Sequence, residues 1–175
     1  MKLALGLIAL LPLAAQELRL PPNLEKLGDK AREVVDVTLD GPLLQLAARF
    51  LSNRDPDEAR AKKLVQGLKG IYVKSFEFDE RGAYQDSDLE PLRAQLKAPG
   101  WTRIVGVKSR RNGDNAEVYL KSENGAIAGL AVISAEPREL TIVQILGPIQ
   151  PEDLRDLGGR LGVPQFDFRK KEKED

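Results

Sequence analysis

The chain has 175 residues, with 27 basic and 27 acidic side chains, zero formal net charge, no histidine and no cysteine. These absences exclude disulfides, Cys/His zinc sites, haem with a His or Cys axial ligand, and Ser-His-Asp or Cys-His nucleophilic catalysis. The balanced charge argues against a nucleic-acid binder, which carries a basic excess, and leaves carboxylates, Lys, Tyr, Ser and Thr for any chemistry.

Lys2 precedes a short apolar run from Leu3 to Leu13, and Ala14-Ala15 comes before Gln16. This predicts a secretory signal peptide over 1–15. A membrane-spanning helix needs about 20 apolar residues, and Pro12 interrupts this run. No cysteine follows it to carry a lipid. The mature chain is therefore expected to be exported, periplasmic or extracellular, soluble, not a lipoprotein, and without an integral membrane segment. The remaining ~160 residues suit one domain.

Residues 16–32 read as an extended leader stiffened by Pro21-Pro22, with a short helix from Leu24 to Arg32. Glu33 to Leu39 is rich in β-branched residues and predicts a strand. Asp40-Gly41-Pro42 opens a helix whose apolar face is read as Leu43, Leu46, Ala47, Phe50 and Leu51. Asp55-Pro56 starts a second helix with Asp55 as N-cap, ending at Gly67 or Gly70. Ile71 to Phe78 is a strand. A third helix is expected from Asp88 as N-cap, which keeps Pro91 in the first turn, where its missing amide is harmless.

Trp101–Arg110, Ala116–Lys121, Ala126–Ser134 and Leu140–Leu146 are strand-like runs. Asn112-Gly113, Asn124-Gly125 and Glu136-Pro137-Arg138 separate them. Asn-Gly between apolar alternations is a strong hairpin signal, so these runs predict a four-stranded antiparallel meander. Gln150-Pro151 opens a last short helix with Leu154 and Leu157. The two helical crossovers suit parallel pairing. The expected fold is α+β: a two-layer sandwich with a mixed sheet of about six strands ending in the meander, and helices on one face. One domain covers 33–159, and 160–175 is a charged tail expected to be disordered.

The segments Glu33 to Leu39, Leu68 to Phe78, Gly100 to Ser109 and Gly147-Pro148-Ile149, following a signal sequence, resemble the bacterial exported proteins of domain-of-unknown-function family 4252. The resemblance spans roughly Val34 to Gly159. It implies no assigned activity and no catalytic residues. The family's gene neighbourhood, near extracytoplasmic-function sigma factors and their anti-sigma factors, implies envelope signalling. Many members carry a lipid-bearing cysteine after the signal, and this chain departs from them in lacking it.

No catalytic or cofactor motif emerges. Gly106-Val107-Lys108-Ser109 lacks the adjacent Gly-Lys of a phosphate-binding loop, and Gly158 to Gly162 follows a helix where a dinucleotide fingerprint follows a strand. Glu77, Asp79, Glu80, Asp86 and Asp88 cluster around a loop and are weighed as oxygen ligands for a cation, against the plainer reading as caps and solvated loop residues. Arg103, Lys108, Arg110 and Lys121, with Arg111, form a modest basic patch. Tyr119, Arg103 and Gln144 are expected on an uncovered sheet face. The interaction surface is therefore read as Arg103, Lys108, Arg110, Tyr119, Lys121 and Gln144. No catalytic residue, metal or cofactor is assigned. The expected function is a non-enzymatic exported binding protein that contacts another envelope protein. The alternatives are a small apolar-ligand or lipid binder and, more remotely, a carboxylate-dependent hydrolase.

Overall fold

A computed structural model describes residues 17–109, 111, 113–151 and 153. The predicted signal segment, Arg110, the last helix beyond Asp153 and the charged tail lie outside these residues. The strands are β1 Glu33–Asp40, β2 Gly70–Glu77, β3 Trp101–Lys108, β4 Asn115–Glu123, β5 Ala126–Glu136 and β6 Glu139–Leu146. The helices are α1 Pro22–Glu25, α2 Gly41–Phe50, α3 Pro56–Gly67 and α4 Glu90–Gln95, with 3₁₀ turns at Lys26–Asp29 and Asp86–Leu89.

One six-stranded sheet runs in the order β1-β2-β6-β5-β4-β3, which leaves β1 and β3 as its edges. The expected α+β class and meander are both present. The sheet, however, is antiparallel throughout rather than mixed. The reason lies in the first crossover, which holds two helices rather than one. α2 and α3 pack against each other as a hairpin, and Gln45 Nε2 donates to the Gln66 carbonyl at 3.2 Å. A pair of helices returns the chain to the end of the sheet it left, so β2 runs back antiparallel to β1. The β2–β3 crossover carries the single helix α4, and it spans the sheet to the far edge.

Local chemistry places the helix starts. Asp40 accepts from Leu43 N at 3.2 Å, and Asp55 accepts from Asp57 N and Glu58 N at 2.8 and 3.1 Å. Asp88 does not cap α4. It is the third residue of the preceding 3₁₀ turn and accepts from Gln85 N at 2.8 Å, and α4 begins one residue later than expected, at Glu90, with Pro91 still in its first turn. The Asn124-Gly125 hairpin turns through two positive φ angles, 51° and 78°, the backbone that makes Asn-Gly the favoured pair.

Helices cover both faces of the sheet, because alternate strand residues feed two separate cores. Phe76, Leu140, Ile142, Ala131 and Ile133 pack with Leu24, Leu27, Leu89, Leu92 and Leu96 from α1, α4 and their 3₁₀ turns. Val132, Val143, Ile145 and Leu130 pack with Leu44, Leu64, Val65 and Leu68 on the α2–α3 side. The leader belongs to the first core. Leu18 N donates to Gln144 Oε1 at 2.8 Å, and Arg19 exchanges hydrogen bonds with the Gln95 amide at 2.9 and 2.7 Å. Both α2 and the sheet depart from the expected one-faced burial. Leu44 and Ala48 are the buried residues of α2, while Leu43, Leu46 and Phe50 face out.

Candidate functional site

The α4 side of the sheet carries a line of polar residues. The register aligns Arg103, Tyr119, Ala131, Gln144 and Tyr72 across β3, β4, β5, β6 and β2. Arg103, Tyr119 and Gln144 thus share a face, as expected, but α4 and the leader cover much of it. Tyr119 and Gln144 are buried, and so is Lys121, which pairs with Glu123 at 2.9 Å. These residues are therefore internal and present no interaction surface. Arg110 lies outside the described residues. Arg103 and Lys108 remain on the surface, with side chains 59% and 69% exposed.

Both flank a cleft of about 730 Å³ between α4 and the β3–β4 edge, whose walls include Asp86, Arg93, Trp101, Glu117 and Tyr119. Arg93 organises its floor. Its guanidinium donates to Glu117 Oε1 at 2.7 Å, Glu90 Oε1 at 2.8 Å and Asp86 Oδ1 at 2.7 Å. Tyr119 donates its hydroxyl to Glu117 Oε2 at 2.5 Å, and Asn115 donates to Asp86 Oδ1 at 3.0 Å. Glu117 is 6% exposed. A carboxylate that deep is tolerable only because both oxygens are satisfied by charge-assisted bonds. Arg103 and Lys108 sit at longer range, 3.6 Å from Glu117 Oε2 and 3.8 Å from Asp86 Oδ2.

The titration behaviour follows this geometry. Hydrogen bonds from Arg93, opposed by partial burial, hold Asp86 below its ordinary 3.8. Burial works against the Arg93 charge, and its bonds to Asp86, Glu117 and Glu90 overcome that, so its pKa rises. Burial first, then the bond to Glu117, push Tyr119 up to about 12. A proton-donating carboxyl needs a raised pKa, the opposite of what Arg93 does to Asp86.

Four of the five acidic loop residues are engaged by groups other than a shared cation. Arg32 pairs with Glu77 and lies 3.7 Å from Asp79, Asp86 binds Arg93, and Asp88 holds Gln85 N. Among the described residues, no group of three or more such side chains is arranged to hold a metal ion. Arg93 and Glu117 were not among the residues singled out from sequence. Glu117 carried a signal, since Glu117, Tyr119 and Lys121 alternate along one strand and must share a face; no local pattern marks Arg93.

A second groove, of about 810 Å³, runs between the leader and the β1–β2 edge, where Leu20, Val34, Phe76, Leu92 and Ile142 meet Asp36 and Lys74. Lys74 Nζ lies 2.5 Å from Asp36 Oδ2 at its margin.

Fold and site together define an α+β domain that presents a cation-flanked cleft beside an open sheet edge. Residues 29–157 match the domain of unknown function DUF4252, most of the chain, and the protein belongs to that family. No curated protein and no solved structure matches it. Among the described residues, no helix is long and apolar enough to cross a membrane.

Proposed function

We propose that this protein is an exported, non-enzymatic binding protein of the cell envelope that takes an acidic, extended segment of another protein against β3. One observation carries the reading: Arg103 and Lys108 stand exposed on an edge strand and reach their internal carboxylates only at 3.6 and 3.8 Å. Cations held this loosely exchange an internal partner for an external carboxylate with little loss, and an unpaired strand edge offers backbone groups to an extended chain. The Arg93 network supports a rigid platform rather than a reacting centre, since it keeps Asp86 ionised and both Glu117 oxygens occupied. The export pattern of residues 1–15 and the family's gene neighbourhood direct the reading toward envelope signalling.

Retention of the full chain on a panel of immobilised ten-residue peptides tests it. Peptides rich in Asp and Glu should retain the wild-type protein, and Arg103→Glu with Lys108→Glu should abolish retention. Equal retention on neutral and acidic peptides contradicts the proposal.

A second reading, binding of a small apolar ligand, is favoured by the groove of about 810 Å³ beside the leader. Thermal shifts with medium-chain fatty acids that disappear in Val34→Glu would support it. Flat responses would count against it.

A further inference from the structure

On the opposite face of the sheet, α2 is apolar on two sides. One side is in the core through Leu44 and Ala48, which are 0% and 1% exposed. The other carries Leu43, Leu46 and Phe50, exposed by 44%, 49% and 82%. Their i, i+3, i+7 spacing makes one continuous stripe. A surface helix with a single apolar face needs only the core, so the second stripe calls for a cover the described fold does not supply.

The charges of the same hairpin indicate its chemistry. Arg49, Arg54, Lys62 and Lys63, all on the α2–α3 hairpin, enter no ion pair among the described residues. The hairpin's acidic residues are engaged within it. Asp55 caps α3, Glu58 accepts from Ser52 N at 2.8 Å, and Asp57 lies 3.9 Å from Arg60. Exposed Leu and Phe on one hairpin with uncommitted Arg and Lys is the composition of an element that lies in the headgroup boundary of an anionic bilayer.

A second copy of the chain fits less well. The three side chains offer apolar area on the order of 300 Å², against about 800 Å² per partner in a standard interface.

We infer that the α2–α3 hairpin is a peripheral docking element for an anionic lipid surface, with Leu43, Leu46 and Phe50 entering the headgroup boundary and Arg49, Arg54, Lys62 and Lys63 meeting the lipid charge. This surface is separate from the β3 cleft, so the two proposals succeed or fail independently.

The test is co-sedimentation of the full chain with phosphatidylglycerol/phosphatidylethanolamine vesicles and with phosphatidylcholine vesicles, at low salt and at 0.5 M salt. Three proteins are compared: wild type, Leu46→Ser/Phe50→Ser and Arg49→Glu/Lys63→Glu. All share residues 1–16, so differences among them report on the hairpin. The changed positions are exposed, and circular dichroism melts confirm that the variants fold. The expected result is binding to anionic vesicles that weakens at high salt and falls roughly tenfold or more in each variant. Equal binding by the Ser variant, equal binding to phosphatidylcholine, or no sedimentation with either vesicle overturns the proposal. A wild-type dimer in sedimentation equilibrium that the Ser variant abolishes also overturns it, and gives the stripe to a second copy.

Discussion

Replacing Arg93 by Met tests whether the charge network under α4 is structural in the way its geometry requires. Arg93 has a side chain only 12% exposed and serves Glu117, Asp86 and Glu90 at 2.6–2.8 Å. Asp86 and Glu90 reach water, but Glu117, with a side chain 8% exposed, does not. Removing one partner of a buried pair costs about 3–5 kcal/mol, because the other charge is left without compensation. Arg103, 3.6 Å from Glu117, and the Tyr119 hydroxyl remain as partial substitutes. The expected loss is therefore at the lower end, about 3 kcal/mol, which lowers Tm by roughly 6–12 °C in a domain of this size. Glu117→Gln alone should cost only about 1 kcal/mol, since Arg93 keeps two carboxylates. The double variant should recover about 2 kcal/mol relative to Arg93→Met. Urea unfolding followed by circular dichroism gives all three values. An Arg93→Met protein within 1 kcal/mol of wild type, or a double variant no more stable than Arg93→Met, refutes the reasoning.

Further outcomes follow from the same structure. All three tyrosines have raised pKa values, Tyr119 to about 12, and burial is the first cause in each. The native state thus holds these protons more tightly than the unfolded chain. Their contribution to stability is full below pH 10; that of Tyr119 is lost as pH rises through 10 to about 12, and that of Tyr84, raised further, persists to higher pH. Absorbance at 295 nm should titrate late in native protein and near 10 in guanidinium; a native midpoint near 10 would contradict this. Gly147 has φ +128°, and a Cβ there would lie 2.7 Å from Leu68 Cα. Gly147→Ala should therefore cost about 3 kcal/mol or more in a urea melt, and a neutral result would show that the β6 exit relaxes easily. Phe76→Ala, at a residue with no exposed surface, should lose about 3–5 kcal/mol by the same assay.

The parts of this fold legible in the sequence are those fixed by short-range chemistry. Asp40 and Asp55 announce their helices, and Asn124-Gly125 announces its hairpin, because the capping or turn residue lies within a few positions of what it satisfies. The pairing of β1 with β2 is decided by whether one helix or two intervene, and by how those helices pack on each other. The facing of α2 was ambiguous for a physical reason: Leu43, Leu46 and Phe50 make as good an apolar face as Leu44 and Ala48, and periodicity alone does not choose between them. In the site, Arg103 and Lys108 were visible as exposed charge on a strand. Tyr119, Lys121 and Gln144 looked like surface residues because their partners, Glu117, Glu123 and the leader amide of Leu18, are found only once the strands are paired and the leader is laid across them. Arg93 and Glu117 lie 24 residues apart and meet only through the packing of α4 on the sheet.

The most direct test of the binding proposal uses Trp101, the only tryptophan and part of the cleft wall. Its emission is followed while an acidic decapeptide is titrated into the full chain. The proposal predicts a saturable change in wild type that weakens with salt and is absent in Arg103→Glu/Lys108→Glu. No saturable change, or an identical curve for the charge-reversed protein, would contradict it.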